Sequence, residues 1–290
     1  MIDLNFLWPG RENASDVVKY ATSIGWSTIG FNVYFTANDQ GVNQVKFVGD
    51  LEKNKRNLGN DYFGPLLCNQ IFPLISNTSG ESGLFLGNNF VRRITVLLMD
   101  NFKPNSLLKF ELSNEFEIFS VIPTSKRSFQ AACQNLNCDL INLNVYCYYS
   151  PFKLKRGFIN SALERGCYFE VSISDEMVKN LDLEKIVGTN LIEPINLAFQ
   201  RNLPGLLKYI PTSKLVISSG TSVATNLSDP ESFLGACNEL FRGFSGKNLN
   251  LKSCLTKVPN DCIVKGAARL TFGTGVVSYK EGNNLGKTFK

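Results

Sequence analysis

Eight short runs rich in β-branched and aromatic residues, separated by amphipathic stretches, constrain the fold of this chain more than anything else in it. They are Ile2 to Phe6, Thr28 to Phe35, Arg93 to Met99, Ile118 to Ile122, Leu140 to Val145, Tyr168 to Ile173, Leu215 to Ser218 and Cys262 to Lys265. Strands that alternate with helices need crossover connections, and these build a parallel sheet with its helices outside. Near-continuous apolarity in Ile94-Thr95-Val96-Leu97-Leu98-Met99 and in Leu215-Val216-Ile217 fits strands covered on both faces. The expected fold class is therefore α/β, a (β/α)8 TIM-like barrel. It forms one domain over residues 1–270, with 271–290 as a flexible tail.

Helix punctuation supports the count. Ser125 is placed to cap a helix whose buried face is Phe129, Ala132, Cys133 and Leu136, at i, i+3, i+4 and i+7. Asp229 caps another, with Pro230 at its first position and Gly243 as its stop. Ile159 to Glu164 reads as a short helix ending at Gly166, directly before a strand. Between the second and third strands, residues 37–89 are too long for a standard connection. Their Asn- and Gly-rich composition predicts a surface insertion with one short helix.

The 290 residues include no histidine. That removes Ser-His-Asp and Cys-His nucleophile activation, HExxH zinc chemistry and histidine-ligated phosphoesterase centres, all of which need an imidazole. Carboxylate, lysine or tyrosine chemistry is what survives, and Asp100, at the end of the third strand, is the candidate for a histidine-free hydrolase. A lone carboxylate is not the pair such chemistry needs. The eight cysteines contain no CxxC pair and several lie in apolar segments, as reduced buried thiols do. No metal, cofactor or catalytic residue is expected. An acidic residue follows the first Met and no apolar run reaches spanning length, so neither secretion nor membrane insertion is expected. A net charge of +5 suits an anionic partner without demanding one.

Barrel sites lie where strands end, which singles out the residues that follow each run. Lys126 and Arg127 open a helix after the fourth strand, adding charge to the positive end of its dipole, which a bound phosphate would relieve. After the fifth strand, the aromatics Tyr146, Tyr148 and Tyr149 precede Lys153, Lys155 and Arg156, combining stacking rings with phosphate-pairing cations as looped RNA requires. After the seventh, Ser218 and Ser219 lead into Gly220-Thr221-Ser222, whose backbone N–H groups could cradle an anion. Plain solvated loops are the competing reading of all three. Arg92 and Arg93 open the third strand, the wrong end for a barrel active site, and point to a surface patch or protein interface.

Several motifs in order resemble the thirty-kilodalton protein subunit (p30 family) of nuclear ribonuclease P and ribonuclease MRP. They are Asp3-Leu4-Asn5, Gly25 to Asn32, Arg93-Ile94-Thr95-Val96, Phe129-Gln130-Ala131-Ala132-Cys133, Cys138-Asp139-Leu140-Ile141, Pro151 to Arg156, Ala162 to Glu170 and Leu215 to Ser219. Beyond residue 249 only Gly266 and Arg269 match. The resemblance implies a barrel of the PHP superfamily type and a non-catalytic subunit that scaffolds and binds RNA in an assembly trimming the 5′ leader of precursor tRNA. It also implies a small ferredoxin-like protein partner, other subunits, precursor tRNA met indirectly, a nuclear and nucleolar location, and Arg165 among the RNA-facing residues. Metal-binding relatives of the superfamily carry HxH where this chain reads Asp3-Leu4-Asn5. A protein-only interaction module is the remaining alternative, and its binding would not respond to salt.

Overall fold

The computed structural model describes residues 1–9, 11–37, 42–44, 90–103, 116–143, 154–174, 195–242 and 249–272. Its elements are β1 (Ile2–Leu7), α1 (Arg11–Ser23), β2 (Thr28–Ala37), β3 (Val42–Gln44), β4 (Phe90–Leu98), β5 (Ile118–Pro123), α2 (Lys126–Gln134), β6 (Leu140–Asn142), α3 (Arg156–Glu164), β7 (Tyr168–Ser172), α4 (Ile195–Leu207), β8 (Leu215–Ser218), α5 (Pro230–Phe241), α6 (Leu251–Cys254) and α7 (Lys257–Phe272). Seven strands run parallel in the order β1-β2-β4-β5-β6-β7-β8 and curl into a nearly closed TIM-like barrel. β3 pairs antiparallel with the end of β2. It falls in the expected insertion, the rest of which lies outside the described residues, as do the expected Gly243 stop and residues 273–290.

Helix starts follow the expected chemistry. Ser125 Oγ accepts from the Ser128 N–H while Ser128 Oγ accepts from the Ser125 N–H, a reciprocal cap on α2. Asp229 accepts from the Ser232 N–H at 2.9 Å, with Pro230 at the first position of α5. Phe129, Ala132 and Cys133 are buried on α2, and Leu136, expected on the same face, is buried just beyond the helix end at Gln134. Gly166, at φ 75°, takes the left-handed turn between α3 and β7.

The eighth unit differs from expectation. Cys262 to Lys265 is not a strand but part of the 16-residue helix α7. Val258, Cys262, Lys265, Gly266 and Arg269 are buried at i, i+4, i+7, i+8 and i+11, a helical period that its polar members conceal. Pro259 falls in the first turn, where its missing N–H costs nothing. Val258 and Cys262 close an apolar layer made by Ile2, Leu4, Val91, Ile118, Leu140, Tyr168 and Val216. Those residues lie at or near the starts of their strands, so α7 plugs the N-terminal mouth of the barrel. The fit leaves no room: a Cβ on Gly266 would lie 1.8 Å from the Glu117 carbonyl oxygen. A second, larger core fills the space between the strands and the outer helices and includes Phe6, Phe31, Phe35, Val96, Phe129, Ile159, Phe169 and Leu203.

Candidate nucleic-acid interface

α2 and α3 each follow a barrel strand, so their first turns lie at the C-terminal rim. The two helices pack together, with the Phe129 and Phe158 rings 6.2 Å apart at 63°. Lys126 and Arg127 take the first two positions of α2, Lys155 caps α3 and Arg156 is its first residue. All four are exposed, and neither first turn contains an acidic residue. Each helix start carries about half a positive charge from its dipole. The four cations add to that field, making this edge attractive to phosphate. Lys155 Nζ also lies 5.6 Å from the centre of the Phe158 ring. Lys153 and the run Tyr146 to Tyr149 lie outside the described residues.

The other expected anion contacts are committed within the fold. Arg165, at the opposite end of α3, donates to the carbonyl oxygens of Ala132, Cys133 and Leu136, three groups at the end of α2. It is therefore a brace between two helices. Ser218 Oγ lies 3.1 Å from Ser172 Oγ inside the barrel. The Ser219 turn does cradle an anion, but the anion is the chain's own. The Ser219 backbone N–H donates to Asp3 Oδ1 at 3.1 Å and its hydroxyl to Asp3 Oδ2. Together with the Leu7 N–H donating to the Thr221 carbonyl at 2.9 Å, these bonds join β1 to the end of β8, where no ladder closes the barrel. Burial raises the Asp3 carboxyl above its ordinary value, and the bonds from Ser219 and Asn5 oppose that shift.

Arg92 and Arg93 divide. Arg92 pairs with Glu117, which accepts from both its backbone N–H, at 2.8 Å, and its guanidinium. Its side chain is 17% exposed, a small surface to offer a partner. Arg93 is fully buried, so the expected surface role does not hold for it. Val91, Arg93 and Thr95 alternate to the inside of β4, and the guanidinium ends in the barrel's interior. It donates to Glu170 Oε1 at 2.6 Å and Oε2 at 2.5 Å, to Ser120 Oγ at 3.0 Å and to the Leu4 carbonyl at 3.0 Å. Burial opposes its charge, but the Glu170 carboxylate outweighs burial and holds the guanidinium above its ordinary value.

Around this pair runs a continuous polar network. Asn142 Nδ2 donates to Glu170 Oε2 at 2.6 Å, and Asn5 Oδ1 accepts from Asn32 Nδ2 at 2.6 Å and the Tyr34 hydroxyl at 2.8 Å. Asn5 Nδ2 donates to Ser172 Oγ at 2.9 Å, and Thr95 Oγ1 to Asn32 Oδ1 at 2.8 Å. Asp3, Asn5, Ser120, Asn142 and Glu170 were not singled out from the sequence as interior groups. The usable signal was charge within two apolar strands, Arg93 at an inward-alternating position of β4 and Glu170 alone in β7, since a buried charge implies a partner.

These interior groups do not fit a metal centre. The Glu170 carboxylate is held by a guanidinium, Asp3 by Ser219 and Asn5 by its neighbours. Among the described residues no three His, Cys, Asp or Glu side chains converge. Asp100 is exposed on the turn after β4. Fold and interior together define a TIM-like barrel whose centre is filled by its own ion pair and whose basic edge lies outside.

Comparison with known proteins places it further. The family model described as RNase P subunit p30 matches residues 1–271, and the chain belongs to that family. Ribonuclease P/MRP protein subunit RPP1 of Saccharomyces cerevisiae is 26% identical over 182 residues, 59% of this chain and 54% of that protein. Ribonuclease P protein subunit p30 of Mus musculus is 21% identical over 188 residues, 64% of this chain and 62% of its own length. Protein GAMETOPHYTE DEFECTIVE 1 of Arabidopsis thaliana is 26% identical over 163 residues, 54% of this chain and 26% of that protein. The matched part thus spans from about a quarter to about three fifths of these relatives. A chain from a cryo-EM structure of archaeal ribonuclease P with mature tRNA shares the fold, with a TM-score of 0.55 over all of both chains at 13% identity.

Proposed function

We propose that this chain is a non-catalytic protein subunit of a ribonuclease P or MRP ribonucleoprotein, with the α2–α3 edge lying against RNA. The match of the family model to residues 1–271 carries this reading. The barrel interior supports it, because a centre occupied by Arg93 and Glu170 serves rigidity better than turnover. On this reading the partners are the ribonuclease P or MRP RNA, a small ferredoxin-like protein and other subunits. Precursor tRNA is met through the assembly, in the nucleus and nucleolus. Arg92 is the candidate protein contact, and Lys126, Arg127, Lys155, Arg156 and Lys153 are the candidate phosphate contacts.

Replacing Lys126, Arg127, Lys155 and Arg156 together with Ala is expected to flatten the slope of log affinity against log salt by about 3 units, since each phosphate contact releases counterions. The matching variant at Lys19, Lys208, Lys252 and Lys257, exposed on other faces, removes equal charge and controls for bulk electrostatics. RNA titrations across a salt series decide this. Equal slopes for both variants would show that the α2–α3 edge is only solvated surface.

A further inference from the structure

α2 and α3 present matching stripes to solvent. On α2, Lys126, Gln130 and Gln134 stand four residues apart and are all exposed, and on α3 the exposed residues Arg156, Asn160 and Glu164 repeat that spacing. Residues four apart share a helix face, each about 6 Å further along the axis. The opposite faces are buried, through Phe129, Ala132 and Cys133 on one helix and Ile159 and Ala162 on the other. Both helices run from the C-terminal rim of the barrel toward the N-terminal one. They touch through Phe129 and Phe158, and Arg165 binds the far end of α2 at the Cys133 carbonyl, so the two stripes lie side by side on one outer surface. Axes of packed helices are about 8–10 Å apart. The surface is thus cationic at the rim and carries amides one turn below it. α2 contains no acidic residue, and the single one on α3, Glu164, lies at its far end.

We infer that this face docks a double-stranded, A-form segment of RNA, with phosphates at the rim cations and 2′-hydroxyls at Gln130, Gln134 and Asn160. The inference rests on the RNA-facing reading of the α2–α3 edge and adds the shape of the RNA that fits there. Single strands are held by bases stacked on exposed rings, and these two helices offer none: Phe129 is buried, and Phe158 is half-buried with Lys155 Nζ over its ring. Side-chain amides both donate and accept, which suits the 2′-hydroxyls that an A-form helix displays in its wide, shallow minor groove beside the phosphates. Gly157 stands exposed between the rim cations and Asn160, and a Cβ there would meet nothing within 4 Å. Packing within the chain therefore does not call for glycine at this position, and its bare backbone lets a sugar–phosphate chain approach closely.

The test measures binding of the full chain, at one moderate salt concentration, to three probes of the same sequence: an RNA duplex, a DNA duplex and a single-stranded RNA. The RNA duplex is expected to bind at least about tenfold more tightly than either of the others, since each neutral hydrogen bond to a 2′-hydroxyl contributes a factor of roughly two to ten. Gln130→Ala, Gln134→Ala and Asn160→Ala together should cut the preference for RNA over DNA duplex to below about threefold, by weakening the RNA complex far more than the DNA one. Alanine is favourable at exposed helix positions, so an unchanged thermal midpoint accompanies the loss. Replacing the four rim cations should instead weaken all three complexes. An RNA duplex bound no more tightly than DNA or single strand, or a preference that survives the amide changes, would overturn the duplex assignment and leave the RNA-facing edge standing. A chain that binds none of the three probes would overturn both.

Discussion

Replacing Arg93 with Met is expected to destabilise the folded chain by about 3–5 kcal/mol, the cost of leaving a buried charge without its partner. Arg93 and Glu170 are both fully buried, and the guanidinium supplies two short bonds to the carboxylate as well as bonds to Ser120 and Leu4. Met replaces the volume but none of the donors. Asn142 would remain as a donor to Glu170, which is far from sufficient for a carboxylate in this interior. Replacing both charges, Arg93→Met with Glu170→Met, should recover much of the loss, because the desolvation cost disappears with the attraction. Urea unfolding of the two variants checks this. A single variant within about 1 kcal/mol of wild type would mean that water reaches the centre of the barrel.

Arg269→Met is expected to cost about 3 kcal/mol and to loosen α7 before the rest of the barrel. Arg269 Nε lies 3.0 Å from Asp139 Oδ2, and its terminal nitrogen donates to the Phe116 carbonyl at 2.9 Å. The effect falls below that at Arg93 because beyond its carboxylate Arg93 also bonds Thr95, Leu4 and Ser120, all of which lose a donor in its Met variant, whereas beyond Asp139 the Arg269 change takes the donor from the Phe116 carbonyl. Loss of the plug would uncover the apolar layer over Ile2, Val91, Ile118 and Val216. Hydrogen exchange should therefore accelerate first in residues 257–272. Uniform acceleration across all strands would show that α7 has no separate stability.

Most of the barrel was legible because parallel strands covered on both faces must be nearly continuous in apolar residues, and seven such runs became strands. The starts of α2 and α5 were legible from local chemistry alone, through Ser125 and Asp229. The eighth unit was not, because β-branched Ile263 and Val264 mimic a strand while Lys265 and Arg269 break the apparent apolar face of a helix. Their burial depends on carbonyl and carboxylate partners more than 120 residues away in sequence, which no local pattern encodes.

The candidate site divided along the same line. Lys126, Arg127, Lys155 and Arg156 could be placed from helix starts, and they converge because α2 and α3 are neighbours around the barrel. Arg93, Arg165, Ser218 and Ser219 have the composition of an anion site, yet each is taken up by a partner in the fold. Composition reports which groups bind anions. It does not report whether the chain already supplies one.

The most direct measurement is to purify the tagged chain from its own cells at moderate salt and sequence the RNA that accompanies it. Membership of a ribonuclease P or MRP particle predicts one such RNA strongly enriched together with small protein subunits, and its loss as salt is raised. A chain that elutes alone, or with proteins but with no RNA above the level of an unrelated tagged barrel, would contradict the account.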